Sequence, residues 1–209
     1  MSTLQAKKPQ RRTPSGFVTR NGTIRPSRSR YEGKKISLED YFAWERPADG
    51  RKYEWNQGII ETNEATMTLP ELAFVSNIEK VFDASQYAQR GDKIYLEVEF
   101  FLPSIGKTRR PDISYLSAEQ MKHLRSGEPI IPAFVVEIVS QHDKINAMKA
   151  KIQEYFESGV QVVWYITPIF SMIEVYTSPH DVMICKGDTL CSAAPALPEF
   201  SMKASDVFA

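Results

Sequence analysis

The sequence predicts an α/β layered domain: one mixed central sheet flanked by helices, with an N-terminal hairpin and a C-terminal β extension. Three observations predict it. Leu72, Val75, Ile78, Val81 and Phe82 recur at helical spacing, which marks a helix with one buried face ahead of a group of strands. Ala133 to Val139 is apolar in both alternation sets except at Glu137, the pattern of a strand covered on both faces and central in its sheet. Lys144 to Glu157 is amphipathic at helical period and leads directly into a further apolar strand, Val162 to Thr167.

Composition narrows the class. The chain has 209 residues, 42% hydrophobic and 25% charged, enough for one sizeable core. No run approaches the ~20 apolar residues of a membrane span. The first residues lack the apolar segment of a secretory leader, so a cytoplasmic location is the expectation. Cys185 and Cys191 are too few for a disulfide framework and read as reduced, inert thiols. The formal net charge of zero hides a split. Residues 1–35 carry ten Lys or Arg against Glu32 alone, which leaves 16 basic and 25 acidic residues in the remainder. This arm is rich in Ser, Thr, Pro and Gly and reads as disordered. It suits a phosphate-binding tail with salt-sensitive, sequence-blind contacts, or a solvated extension that neutralises an acidic neighbour; the pattern leaves both open.

The folded domain is expected over 36–209. Ser37 and Asp40 resemble a capping box ahead of a short helix, Leu38 to Glu45, with Leu38, Tyr41 and Phe42 inward. Tyr53 to Trp55 and Ile59 to Glu61 read as a hairpin about Asn56, Gln57 and Gly58, with Glu54 on its outer side. Thr68 to Arg90 reads as one long helix, capped by Thr68 and left through Gly91. Ile94 to Leu102 alternates as a single half-buried strand, which would leave Glu97 and Glu99 solvated or turn one of them toward the site. Asp112 to Leu116 is the next strand, and residues 117–132 are a polar connection. After Gly159, the strands Val162 to Thr167, Met172 to Thr177 and Val182 to Cys185 follow, the last two as a hairpin. A short turn through Asp206 and Phe208 closes the chain.

Three ionisable residues carry the candidate chemistry. Asp112 opens one strand, Glu137 lies inside F-V-V-E-I-V, and Lys151 lies on the helix that follows. An acid inside so apolar a run is costly to bury without a charged partner. Strands adjacent in sequence are often neighbours in space, which would bring Asp112 and Glu137 to one divalent cation. A nearby lysine would complete a phosphate-cutting site. The same residues also allow a metal-free ion pair between Glu137 and Lys151 or Lys144. His142 reads as a solvated loop residue, and His123 and His180 have no partners in sequence. Trp44, Trp55 and Trp164 are assigned to the core, and Tyr155 to the buried stripe of its helix.

Several stretches resemble a known family: Y-E-W-N-Q-G-I-I (53–60), R-P-D-I-S-Y-L-S (110–117), V-V-E-I-V-S (135–140), K-I-Q-E-Y-F-E-S-G-V (151–160), V-W-Y-I-T-P (163–168) and I-E-V-Y (173–176). In order and spacing they are similar to the Uma-two family of the PD-(D/E)xK nuclease superfamily. The resemblance runs from Ser37 to the C-terminus and excludes the arm. It implies a restriction-endonuclease-like fold and a metal-dependent endodeoxyribonuclease, with Mg²⁺ or Mn²⁺ held by Asp112, Glu137 and the Ile138 carbonyl. The superfamily's lysine two residues after the glutamate is absent, since position 139 is Val. The match places that role on Lys151, with Glu54 assisting as an early glutamate. The loop S-Q-H-D departs from the family by lacking a proline after the serine. DNA is the implied partner, through the arm or a homodimer groove; dimers enter by analogy with other nucleases of this fold. The alternative is a nuclease-fold protein without cleavage activity that binds nucleic acid or a protein.

Overall fold

The computed structural model of the chain describes residues 17–18, 24–25, 29–64, 68–139 and 145–209. Two short strands, β1 (Phe17–Val18) and β2 (Ile24–Arg25), pair antiparallel. Residues 29–36 pack against the hairpin that follows. The Ser29 hydroxyl lies 3.0 Å from that of Tyr53, and Gly33 N–H and Ile36 N–H donate to the carbonyls of Ile60 and Gly58. Ser37 caps α1 (Leu38–Ala43) by accepting from Asp40 N–H. This helix is shorter than expected. Tyr41 is fully buried, but Phe42 is 53% exposed rather than inward, because the helix contributes only one turn to the core.

The hairpin forms as read and is longer: β3 (Arg51–Asn56) and β4 (Ile59–Glu64) pair antiparallel. Its two turn residues, Gln57 and Gly58, both have positive φ (47° and 92°), the twist a two-residue hairpin requires. The expected single helix over Thr68 to Arg90 is two. Thr68 and Glu71 form a capping box on α2 (Leu69–Asp83), and Ser85 caps a separate short helix, α3 (Gln86–Gln89). A serine that takes an N-cap interrupts a periodicity that otherwise continues. Val75, Ile78 and Phe82 of α2 are buried, but Leu72 is exposed.

The expected strand Ile94 to Leu102 is also two. β5 (Lys93–Leu96) ends at Glu97, whose φ is +51°, and β6 (Phe100–Leu102) continues in a different sheet. Alternation alone cannot register such a kink. Glu99 is not solvated either: Tyr41 Oη donates to it at 2.6 Å and Arg46 pairs with it at 2.7 Å.

After β7 (Lys107–Arg109) and β8 (Ile113–Leu116), the polar connection contains a helix, α4 (Ala118–Lys122), capped by Ser117. Then come β9 (Phe134–Ile138), α5 (Ile145–Glu157), β10 (Val162–Thr167), β11 (Met172–Tyr176) and β12 (Val182–Cys185). Past these the chain makes more than a turn: β13 (Leu190–Ala193), β14 (Leu197–Lys203) and α6 (Ala204–Val207).

The six-stranded sheet has the order β12-β11-β10-β9-β8-β5. β9 is central, as its apolar faces predict, parallel to β10 and antiparallel to β8. A second, four-stranded sheet has the order β4-β3-β7-β6. The mixed α/β class therefore holds, with its strands divided between sheets. On one face of the large sheet, Ile113, Val136, Trp164 and Ile166 pack with α2 and the β13–β14 hairpin. On the other face, Val135, Val163 and Tyr165 pack with Ile152 and Tyr155 of α5 and with β6.

Candidate active site

Strand register brings the two acids together. Ile113 pairs with Val136 and Ser114 with Val135. Continuing one step sets Asp112 opposite Glu137, and opposed residues of antiparallel strands project to the same face. That face is the one covered by α5, because Val136 occupies the other. Asp112 and Glu137 are 7% and 6% exposed. Asp112 Oδ2 accepts from Ile138 N–H at 2.7 Å, which locks its carboxylate to the strand that carries Glu137.

Helix α5 supplies the groups above. Lys151 Nζ lies 3.3 Å from both Glu137 oxygens. Tyr155, one turn further on, donates its hydroxyl to Glu137 Oε1 at 2.5 Å. Burial pushes the Glu137 carboxyl above the usual carboxylate range and the nearby Asp112 adds to this, while Lys151, Tyr155 and Lys52 oppose it. Burial works against charge on Lys151, but Glu137 and then Glu54 outweigh it and keep the ammonium protonated. The Tyr155 hydroxyl is pushed well up by burial and by Glu137, so it remains a donor.

Glu54 is not on an outer face. It is 2% exposed and accepts from Arg109 Nη1 at 2.9 Å, Arg110 N–H at 3.0 Å and Asn63 Nδ2 at 3.3 Å. Arg109 in turn holds Glu154 of α5, as does Lys107 at 2.6 Å. Glu54 thereby fixes the segment leading into Asp112 and ties it to the helix that carries Lys151. Lys52, two residues before Glu54 on β3, reaches Asp112 Oδ1 at 2.6 Å and Glu97 Oε1 at 3.4 Å. Glu97 is therefore paired rather than solvated.

Of the sequence candidates, the structure unites Asp112, Glu137, Ile138 and Lys151, with Glu54 one arginine away. Lys144 and His142 lie outside the described residues. His123 is exposed and faces Glu119 at 3.6 Å, and His180 is exposed. Cys185 and Cys191 are buried free thiols, and burial raises both. Sequence reasoning missed Lys52, Tyr155 and Arg109. Two signals existed: Lys52 shares strand parity with Glu54, and Tyr155 follows Lys151 by four residues, one helical turn.

The donor set fits a hard divalent cation. Two carboxylates face each other, and two ammonium groups stand against them. The available donors are oxygen only: Asp112, Glu137 and the Ile138 carbonyl. Among the described residues no group of three or more His, Cys, Asp or Glu side chains is placed to hold a metal. Two carboxylates, with water and a substrate phosphate completing the shell, is the arrangement typical of Mg²⁺.

A mixed sheet with paired acids on adjacent central strands, and a lysine-bearing helix over them, defines a restriction-endonuclease-like protein. The chain belongs to the Uma2 family, described as "Putative restriction endonuclease", whose profile matches residues 38–205. Among solved structures it is similar to a "putative nuclease belonging to DUF820" from Anabaena variabilis. That likeness has 21% identity and a TM-score of 0.69, and covers 83% of this chain and 97% of the other. At that identity the likeness is one of fold. No curated protein matches the chain. No helix among the described residues is long and apolar enough to cross a membrane.

Proposed function

We propose that the chain is a metal-dependent endodeoxyribonuclease that hydrolyses phosphodiester bonds. The observation that carries this reading is the convergence of Asp112 and Glu137 on one sheet face beneath Lys151. Asp112, Glu137 and the Ile138 carbonyl would hold Mg²⁺ or Mn²⁺. The bound ion would acidify a water and withdraw charge from the phosphate. Lys151 orients the attacking water or stabilises the extra negative charge that develops on the phosphate oxygens. Tyr155 fixes the Glu137 carboxylate at one oxygen. Glu54 acts through Arg109 and the Arg110 amide to position Asp112. The reading includes a cytoplasmic homodimer, with DNA phosphates met by the basic residues of 1–35.

The test is nicking of supercoiled plasmid with and without Mg²⁺ or Mn²⁺, comparing the intact chain with Glu137→Ala and Lys151→Ala. Metal-dependent nicking lost in both variants is the expected result. Loss in Glu137→Ala alone would move the lysine role away from Lys151. No cleavage by the intact chain, with no metal binding by calorimetry, would overturn the reading. Deleting residues 1–28, which leaves the packed segment from Ser29 intact, should weaken DNA binding and flatten its salt dependence; an unchanged salt slope would remove the arm as the contact.

A further inference from the structure

Lys52 has no part in the nuclease reading, yet it is placed as closely on the acids as Lys151. It stands on β3 in the four-stranded sheet, and its ammonium crosses to the six-stranded sheet to meet Asp112 Oδ1 at 2.6 Å. The two acids are thus served separately, Glu137 by Lys151 and Asp112 by Lys52. Asp112 Oδ2 is taken by the Ile138 amide, so Oδ1 is the oxygen best placed for a metal. Lys52 sits on that oxygen. A divalent ion arriving there would meet a like charge at short range in a poorly solvated place, and the two cannot share it at low cost.

The structure also provides somewhere for the lysine to go. Glu97 Oε1 lies 3.4 Å from the same ammonium, and its side chain is 29% exposed. Its backbone is in the left-handed region, φ +51°, which a non-glycine residue adopts only when its surroundings impose it. The surroundings do so here: Glu97 N–H donates to the Asp112 carbonyl at 3.1 Å, and Arg110 Nε donates to the Glu97 carbonyl at 2.6 Å. The residues flanking the acid therefore hold Glu97 in an unfavourable conformation, and that conformation aims a second carboxylate at Lys52.

From this geometry, and resting on the metal-site reading above, we infer that Lys52 is a displaceable counter-cation. In the metal-free protein it occupies the metal's place at Asp112, and when a divalent cation binds it transfers to Glu97. It keeps Asp112 compensated before loading and sets the metal affinity of the site. Lys52 is on this account a positioning residue and Glu97 its acceptor; neither ligates the metal.

The experiment is calorimetric titration of Mn²⁺ into the full chain, wild type against Lys52→Met and Glu97→Gln, with thermal melts to establish folding. Lys52→Met keeps the apolar stem and removes the competing charge, so the Mn²⁺ Kd should fall about tenfold. Glu97→Gln removes the acceptor and leaves Lys52 on Asp112, so the Kd should rise about tenfold. A purely structural lysine would lower the melting temperature of Lys52→Met without tightening Mn²⁺. Wild-type affinity in both variants would overturn the inference and leave the metal site standing. Should Lys52→Met fail to fold, an unchanged Kd in Glu97→Gln alone overturns it. Absence of Mn²⁺ binding in wild type and in a folded Lys52→Met would sink the metal-site reading, and the inference with it. Binding seen only in Lys52→Met would support both.

Discussion

The two faces of the six-stranded sheet are built by alternate residues of the same strands, yet they do different work. On one, Val136, Trp164 and Ile166 meet α2 and the C-terminal hairpin. Phe134, Trp164 and Phe200 stack or meet edge-on there, and the Trp164 indole N–H is satisfied by the Ser192 carbonyl at 3.0 Å. On the other, one residue along, β9 places Glu137 among Lys151, Tyr155 and Asp112. Burial of apolar surface stabilises the first face. The second bears the desolvation cost of charges that offset one another only in part. A shift of one residue in the register of β9 would exchange the two roles.

The widest separation of the faces is expected in catalysis. Glu137→Gln keeps the shape of the side chain and removes its charge. Plasmid nicking should fall by about three orders of magnitude, a larger effect than the loss of stability from leaving Lys151 without its partner. A Glu137→Gln chain that still nicked would break the contrast. Next comes Trp164→Ala on the apolar face, which should cost about 4 kcal/mol in urea denaturation. Its remaining folded fraction should bind Mn²⁺ as the wild type does, and altered affinity would mean that the faces are coupled. Tyr155→Phe tests the boundary, since the ring packs in the core while the hydroxyl serves Glu137. It should cost about 1 kcal/mol of stability and reduce nicking severalfold.

The smallest effect lies at the rim of the apolar face. Burial pushes the Asp92 carboxyl up, but hydrogen bonds from Tyr115 and the Ala118 amide, with Arg90, hold it below the usual aspartate value. Burial and the same contact push the Tyr115 hydroxyl up to about 12. A depressed acid stabilises the fold above its unfolded pKa, and that contribution is lost as pH falls through the folded value. Asp92→Asn should therefore flatten the loss of stability below about pH 4, followed by circular dichroism. An unchanged acid limb would remove Asp92 as a cause of it.

Much of the architecture and the acids was legible because both rest on period. β9 and β10 read correctly from apolar runs, and α5 from its stripe. The cost of burying charge singled out Glu137, and the adjacency of the two strands paired Asp112 with it. What escaped was what the pattern cannot encode. Ser85 ended a helix through a side-chain hydrogen bond, and Glu97 turned a strand into a second sheet without losing its alternation. Glu54 looked outward because one hairpin read alone has no second layer. Ile145 fits the stripe of α5 yet is 69% exposed. The positions of Lys52 and Arg109 depend on how two sheets meet, and no local pattern records that.

The spacing of the acids is set by strand pairing, not by the segment that joins the strands. Between β8 and β9 the chain runs out through α4 to Arg125, Ser126, Gly127 and Glu128, all exposed. Extra residues inserted at that tip would lengthen the excursion and leave the opposition of Asp112 and Glu137 unaltered. The fold thus separates a part that can drift in length from a part that cannot. A lineage can use that tip to acquire new contacts while the opposition of the two acids is inherited intact.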